Sequence, residues 1–245
     1  MPRSRRSKVV TLSQTDKKGH EGKAMLYTGI QESLDKFDYM WVFDVANMRN
    51  TYLKRVRDDW KDSRIYMGKT KVMGKALGYT AEEEHAENVS KLSKLLHGTV
   101  GLLFTNNKPE DVTGYFESFV QNDFARAGTV APFTHIIPAG PVYSRGGQIP
   151  VEDDVPLAHT LEPQVRQLGM PTMLKNGVVT LLADFTLCTE GQELDSRQTR
   201  LLKLFGVTAA EFKVKLLGVY TKKNASVQLF ETEQDAGNSK DDPMQ

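Results

Sequence analysis

A single cysteine, Cys188, stands in 245 residues. That excludes an internal disulfide framework and a cysteine-rich zinc site. No run approaches the ~18 uninterrupted apolar residues that a transmembrane helix needs. The N-terminus is basic and polar and lacks the apolar core of a signal peptide. An intracellular, reducing compartment is therefore expected, with the sequons at Asn88 and Asn224 coincidental. The five histidines (His20, His85, His97, His135 and His159) show no metal-ligand spacing. There is no Gly-x-Ser-x-Gly elbow. Glu152-Asp153-Asp154 lacks the spaced ligands of a calcium loop and reads as solvated charge. Gly68-Lys69-Thr70 lies between a strand and a helix, but a phosphate-binding loop needs a glycine where Ser63 stands. Residues 64–67 read as strand, so that loop cannot form. No metal, cofactor or catalytic residue is expected.

What is present is globular composition, 39% hydrophobic and 26% charged, enough for a proper core. The net charge of +1 hides strong segregation. Residues 1–23 carry net +5, 47–75 net +6 and 195–230 net +5, whereas 76–127, 128–194 and 231–245 each carry net −4. Such blocks suggest a basic face and an acidic one.

Leu26, Ile30, Leu34 and Phe37 mark one face of a helix over 23–36. The apolar run 39–43 suits a strand buried on both sides. Asn47 is the expected N-cap of a helix whose core face is Met48, Tyr52, Val56 and Trp60. A strand over 64–67 and a short basic helix over 69–77 follow. Thr80 and the acids after it predict a helix reaching Leu96. A strand over 100–104 and a helix opening at Pro109 complete this part. Seven of the ten prolines then crowd into 132–171, which breaks the regular pattern. Regularity returns with a strand over 178–182, a helix over 196–205 and a strand over 213–220.

The texture implies a mixed-sheet α/β domain interrupted by a smaller inserted β-containing domain. The expected boundaries are a basic flexible arm over 1–22, the discontinuous α/β domain over 23–127 and 195–222, the insert over 128–194, and an acidic flexible tail over 223–245.

Asn50, Lys54, Arg57 and Lys61 are spaced four, three and four apart and share one outward face. Lys69, Lys71 and Lys75 form a second basic strip, and Asn47, Asn50 and Thr70 offer neutral hydrogen bonds. Such strips suit a phosphate backbone. With Arg49 and the arm residues Arg3, Arg5, Arg6 and Lys8, these are the candidate RNA-binding residues.

Residues 43–60, the segment Met67-Gly68-Lys69-Thr70, the run 98–106, Ala127-Gly128, Ala131-Pro132 and Pro138-Ala139-Gly140-Pro141 resemble the ribosomal stalk-base protein family. The arm 3–8, the segments 11–19 and 161–169, Leu204-Phe205-Gly206 and Glu211-Phe212-Lys213 resemble its assembly-factor branch. The resemblance spans about residues 1–221. It implies that the mixed-sheet α/β domain is an RNA-binding domain. It also implies a nuclear and nucleolar placeholder at the stalk base of large-subunit rRNA on pre-60S particles, later exchanged for the mature stalk-base protein. The implied partners are that rRNA, pre-60S ribosomal proteins and assembly factors, and a phosphatase-like release factor, without a membrane. Shuttling to the cytoplasm stays open. The chain ends some 25 residues past its last predicted strand, so no binding of the acidic stalk dimers is expected. Thr70 stands where mature family members usually carry asparagine. The alternatives are a mature stalk-base protein, a free mRNA-decay factor and an enzyme acting on nucleotides or RNA.

Overall fold

The computed structural model describes residues 19–230, so Arg3, Arg5, Arg6 and Lys8 lie outside the described residues. In chain order the regular elements begin with α1 (His20–Lys36), β1 (Tyr39–Ala46), α2 (Asn50–Asp59), β2 (Arg64–Tyr66), α3 (Thr70–Leu77) and α4 (Ser90–Ser93). Next come β3 (Val100–Thr105), α5 (Pro109–Ser118), β4 (Gln121–Asp123), β5 (His135–Ile137) and β6 (Gly140–Pro141). The last are α6 (Glu162–Gln167), β7 (Thr172–Lys175), β8 (Val178–Leu181), β9 (Phe185–Cys188), α7 (Ser196–Leu204), β10 (Ala210–Thr221) and β11 (Ser226–Leu229). The fold is α/β.

The described chain forms two compact units. The first comprises 19–42, 62–106 and 217–230. The largest sheet follows the order β11-β10-β1-β3-β2, with β2–β3 and β10–β11 antiparallel. β3 is buried at every position, as the apolar run Val100 to Phe104 requires of a central strand. Ile30 and Leu34 of α1 and its C-cap residue Phe37 are buried with Met73, Ala76 and Leu77 of α3 and with Leu102 and Phe104. Each of the larger side chains among these contributes roughly 1.5–3 kcal/mol by leaving water. Tyr66 Oη donates to the Gly29 carbonyl at 2.8 Å and lies 2.9 Å from Ser33 Oγ. A Cβ on Gly29 would approach that hydroxyl to 3.1 Å, so a glycine lets α1 lie close to β2.

The helix expected over 80–96 is not formed: within it only α4 is α-helical. Asn88 takes φ 67°, which no helix continues through. The Glu84 carboxylate instead accepts from the N–H groups of Asn88 (2.9 Å) and Ser90 (3.2 Å). The Ser90 hydroxyl first, and then the Asn88 N–H, hold the acid below its ordinary pKa. The start of the chain also differs from expectation, because α1 already includes residues 20–22 of the expected arm. So does the end, where β11 pairs with β10 inside the expected 223–245 tail. Residues 231–245 lie outside the described residues.

The second unit comprises 43–61 and 107–216. Its largest core joins Ile137, Val142, Val165, Val179, Leu181 and Leu187 with Leu201, Leu202, Phe205, Val207 and Ala209. Texture grouped 195–222 with the α/β part, but the core places α7 with the insert strands. Asp195 caps α7 in a capping box with Gln198, whose side-chain amide donates to the Leu187 carbonyl at 2.9 Å on β9. Basic surface residues gave α7 its resemblance to the α/β part, whereas its apolar face decides where it packs. β7 and β8 form an antiparallel hairpin around Asn176 and Gly177, both at positive φ, and β6 adds to β8. Asp154 is a structural cap rather than free charge. It accepts from Ser144 Oγ (2.7 Å) and from the N–H groups of Arg145 (2.9 Å) and Val155 (2.8 Å). Burial raises its pKa, but those hydrogen bonds outweigh that and leave it below the ordinary value.

Candidate nucleic-acid interface

The chain leaves β1 through Asn47, which takes φ 52°. It is therefore not the N-cap of α2; Arg49, in an extended conformation, holds that place. Asparagine tolerates the left-handed region better than most residues. The Asn47 amide is used locally, donating to the Glu211 carbonyl at 2.9 Å.

α2 is seated on Leu53, Val56 and Trp60, with Tyr52 half-buried. Leu53 replaces Met48 in the expected stripe. Trp60 stacks on Phe116 at 6.1 Å and meets Tyr115 edge-on at 5.4 Å, and Tyr52 tilts against Phe212 at 5.3 Å. These aromatic contacts fix the rotation of α2 about its axis. Tyr115 Oη donates to Asp59 at 2.6 Å, and burial followed by that carboxylate pushes the phenol above its ordinary pKa.

With that face fixed, Asn50, Lys54, Arg57 and Lys61 are all exposed. At 100° per residue, Asn50, Lys54 and Arg57 lie within an arc of about 60°. Lys61 follows in the turn after the Trp60 C-cap. Among the described residues, Lys54, Arg57 and Lys61 have no carboxylate within 4.0 Å. They form a solvated cationic strip with its charge uncompensated at contact distance.

Arg49 behaves differently. Its Nε lies 2.7 Å from Asp123 Oδ2, and its Nη2 donates to the Phe124 carbonyl at 2.6 Å. The guanidinium is thus a strut between the start of α2 and the end of β4. Sequence reasoning missed Asp123 and Phe124 because nothing in local spacing links them to Arg49.

The second strip belongs to the first unit. Lys69 is the N-cap residue of α3, and Lys71 and Lys75 share an outward face. Thr70 is partly buried, and Met73, Gly74, Ala76 and Leu77 form the opposite, buried side. β2 ends at Tyr66 and α3 begins at Thr70, leaving no room for a phosphate-cradling loop.

The other reactive groups are core residues. Cys188 is buried and its thiol is pushed up by burial, the opposite of an activated nucleophile. His135 pairs with it across β5 and β9, and burial lowers the imidazole pKa. Among the described residues no cluster of three or more His, Cys, Asp or Glu could hold a metal ion. Among them, too, no helix is long and apolar enough to cross a membrane.

The family model for ribosomal protein L10 matches residues 18–121, and the model for the insertion domain of its 60S ribosomal counterpart matches 125–207. The chain is similar to the ribosome assembly factor mrt4 of Schizosaccharomyces pombe, 82% identical over 232 residues, 95% of this chain and 96% of that protein. It is similar to the ribosome assembly factor MRT4 of Saccharomyces cerevisiae, 48% identical over 93% of this chain and 97% of that protein. The large ribosomal subunit protein uL10 of Lupinus luteus is 25% identical over 81% of this chain and 58% of that protein. The chain therefore belongs to the ribosomal protein L10 family and, within it, to the ribosome assembly factors of the mrt4 type.

Proposed function

We propose that this protein binds large-subunit rRNA at the stalk base of pre-60S particles, as a placeholder later exchanged for the mature stalk-base protein. Its relatives are named as ribosome assembly factors and its family is one of ribosomal proteins, so its role lies in ribosome biogenesis and it is not an enzyme. The observation that carries the finer reading is the strip Lys54, Arg57 and Lys61. It lies within the segment matching ribosomal protein L10, with Lys54 and Arg57 on α2, whose rotation is locked by Leu53, Val56 and Trp60, and Lys61 in the turn that follows. Three exposed cations that have no carboxylate within 4.0 Å among the described residues suit a polyphosphate surface. Lys69, Thr70, Lys71 and Lys75 of the first unit, and the arm, are further candidate RNA contacts in their own right. Asn47 and Arg49 would support the strip by holding α2 in place.

In this reading α2 carries the RNA contact. The protein works in the nucleus and nucleolus, and a phosphatase-like factor assists its release. Crosslinking to RNA in living cells tests this. Enrichment of stalk-base rRNA from nuclear precursors is the expected result. The same rRNA recovered mainly from translating ribosomes would point to a mature stalk-base role. A spread of messenger RNAs would sink the placeholder reading.

A further inference from the structure

The α2 strip leaves the third basic block, 195–230, without a role. In the second unit Arg49, Arg126, Arg200 and Lys203 line one open groove of about 340 Å³. Asp123 is the single carboxylate among the lining residues, and Arg49 already neutralises it at 2.7 Å. Arg126, Arg200 and Lys203 are exposed, and among the described residues none has a carboxylate within 4.0 Å. Arg200 and Lys203 stand three apart on α7, kept outward because Leu201, Leu202 and Phe205 are buried. Arg126 reaches the same groove from the segment after β4. Residues 128–194 carry net −4, yet none of their acids lines the groove.

Cations gathered in one concavity repel one another and raise the local concentration of anions. Two of the three unpaired groups are guanidinium forks, whose planar donors match phosphate oxygens in pairs. The groove is open rather than enclosing, which suits a polymer backbone passing over it. Arg49, the N-cap of α2, forms one wall, so the groove adjoins the helix that carries Lys54 and Arg57.

We propose that the groove lined by Arg49, Arg126, Arg200 and Lys203 is a second RNA-phosphate site, extending the α2 interface onto α7. It rests on the reading of α2 as an rRNA face. In the test, the full chain is titrated against a transcript of the large-subunit rRNA stalk base across a salt series. The variants are the triple R126Q/R200Q/K203Q and, separately, K54Q/R57Q. Thermal melting confirms that each is folded, and R200A/K203A gives a second, smaller perturbation. If each cation meets one phosphate, the triple variant loses affinity by about 50- to 150-fold at ~0.15 M salt. Its log affinity against log salt slope flattens by about 2 to 3. A folded triple variant with unchanged affinity and slope, while K54Q/R57Q loses binding, overturns the groove and leaves the α2 reading intact. A wild-type protein without affinity for the transcript overturns both. A triple variant that keeps RNA affinity but loses binding to an acidic peptide of sequence 231–245 overturns the RNA assignment in favour of an acidic segment.

Discussion

Lys54 and Arg57 give the cleanest perturbation of the proposed interface, because each is exposed and neither contributes to the seat of α2. Replacing both by glutamine removes two charges from a helix held by Leu53, Val56 and Trp60. Exposed substitutions of this kind change stability by about 0.5 kcal/mol or less. Affinity responds differently. Each phosphate contact contributes about −0.9 (duplex) or −0.7 (single strand) to the slope of log affinity against log salt. At ~0.15 M salt that is about four- to fivefold per contact, so K54Q/R57Q is expected to bind about 15- to 30-fold more weakly. Its slope should flatten by about 1.4 to 1.8. Charge reversal in K54E/R57E adds repulsion of similar size and brings the loss to about 200-fold or more. Fluorescence anisotropy with labelled stalk-base rRNA over a salt series reads both quantities. A folded K54E/R57E protein with wild-type affinity and slope would refute the assignment, since nothing else about these side chains ties them to the fold.

Arg49→Ala should act on stability, because it strands Asp123 and the Phe124 carbonyl; a loss of about 2–3 kcal/mol is expected by thermal or urea unfolding. Arg49→Lys should recover only part of it, since one ammonium cannot span both acceptors. Asn47→Ala places a Cβ-bearing, non-bonding residue at φ 52° and should lose about 1–2 kcal/mol, whereas Asn47→Gly keeps the backbone permission and loses mainly the bond to Glu211. Glu84 has a folded pKa below its ordinary 4.5, so its stabilisation is complete above that pH and disappears as the pH falls through the folded value. The melting-temperature gap between wild type and Glu84→Ala, about 1 kcal/mol in free energy, should stay constant from pH 7 to 5 and narrow below about 4.5. A gap unchanged down to pH 3 would rule out the ionised cap.

Elements whose apolar pattern matches their own period were legible from residues alone. The run Val100 to Phe104 became a strand buried on both sides, and the stripe Ile30, Leu34 and Phe37 became the buried face of α1 and its C-cap. Pattern failed where a residue has two uses. Asn47 suits an N-cap and equally a left-handed turn, and the exit from β1 selects the turn. The acids after Thr80 favour a helix that does not form, because Asn88 turns left-handed and the Glu84 carboxylate satisfies the N–H groups of Asn88 and Ser90 another way. The candidate site shows the same limit. Exposure of Lys54 and Arg57 follows from helix geometry, so spacing finds it. Arg49 has the same chemistry a few residues earlier, yet Phe124, 75 residues along the chain, makes it a strut. On α7, Arg200 and Lys203 look like any soluble helix face until Arg126 arrives beside them from another part of the chain. A basic residue in a sequence thus announces charge, while whether that charge remains for a partner depends on acceptors that only the tertiary fold brings to it.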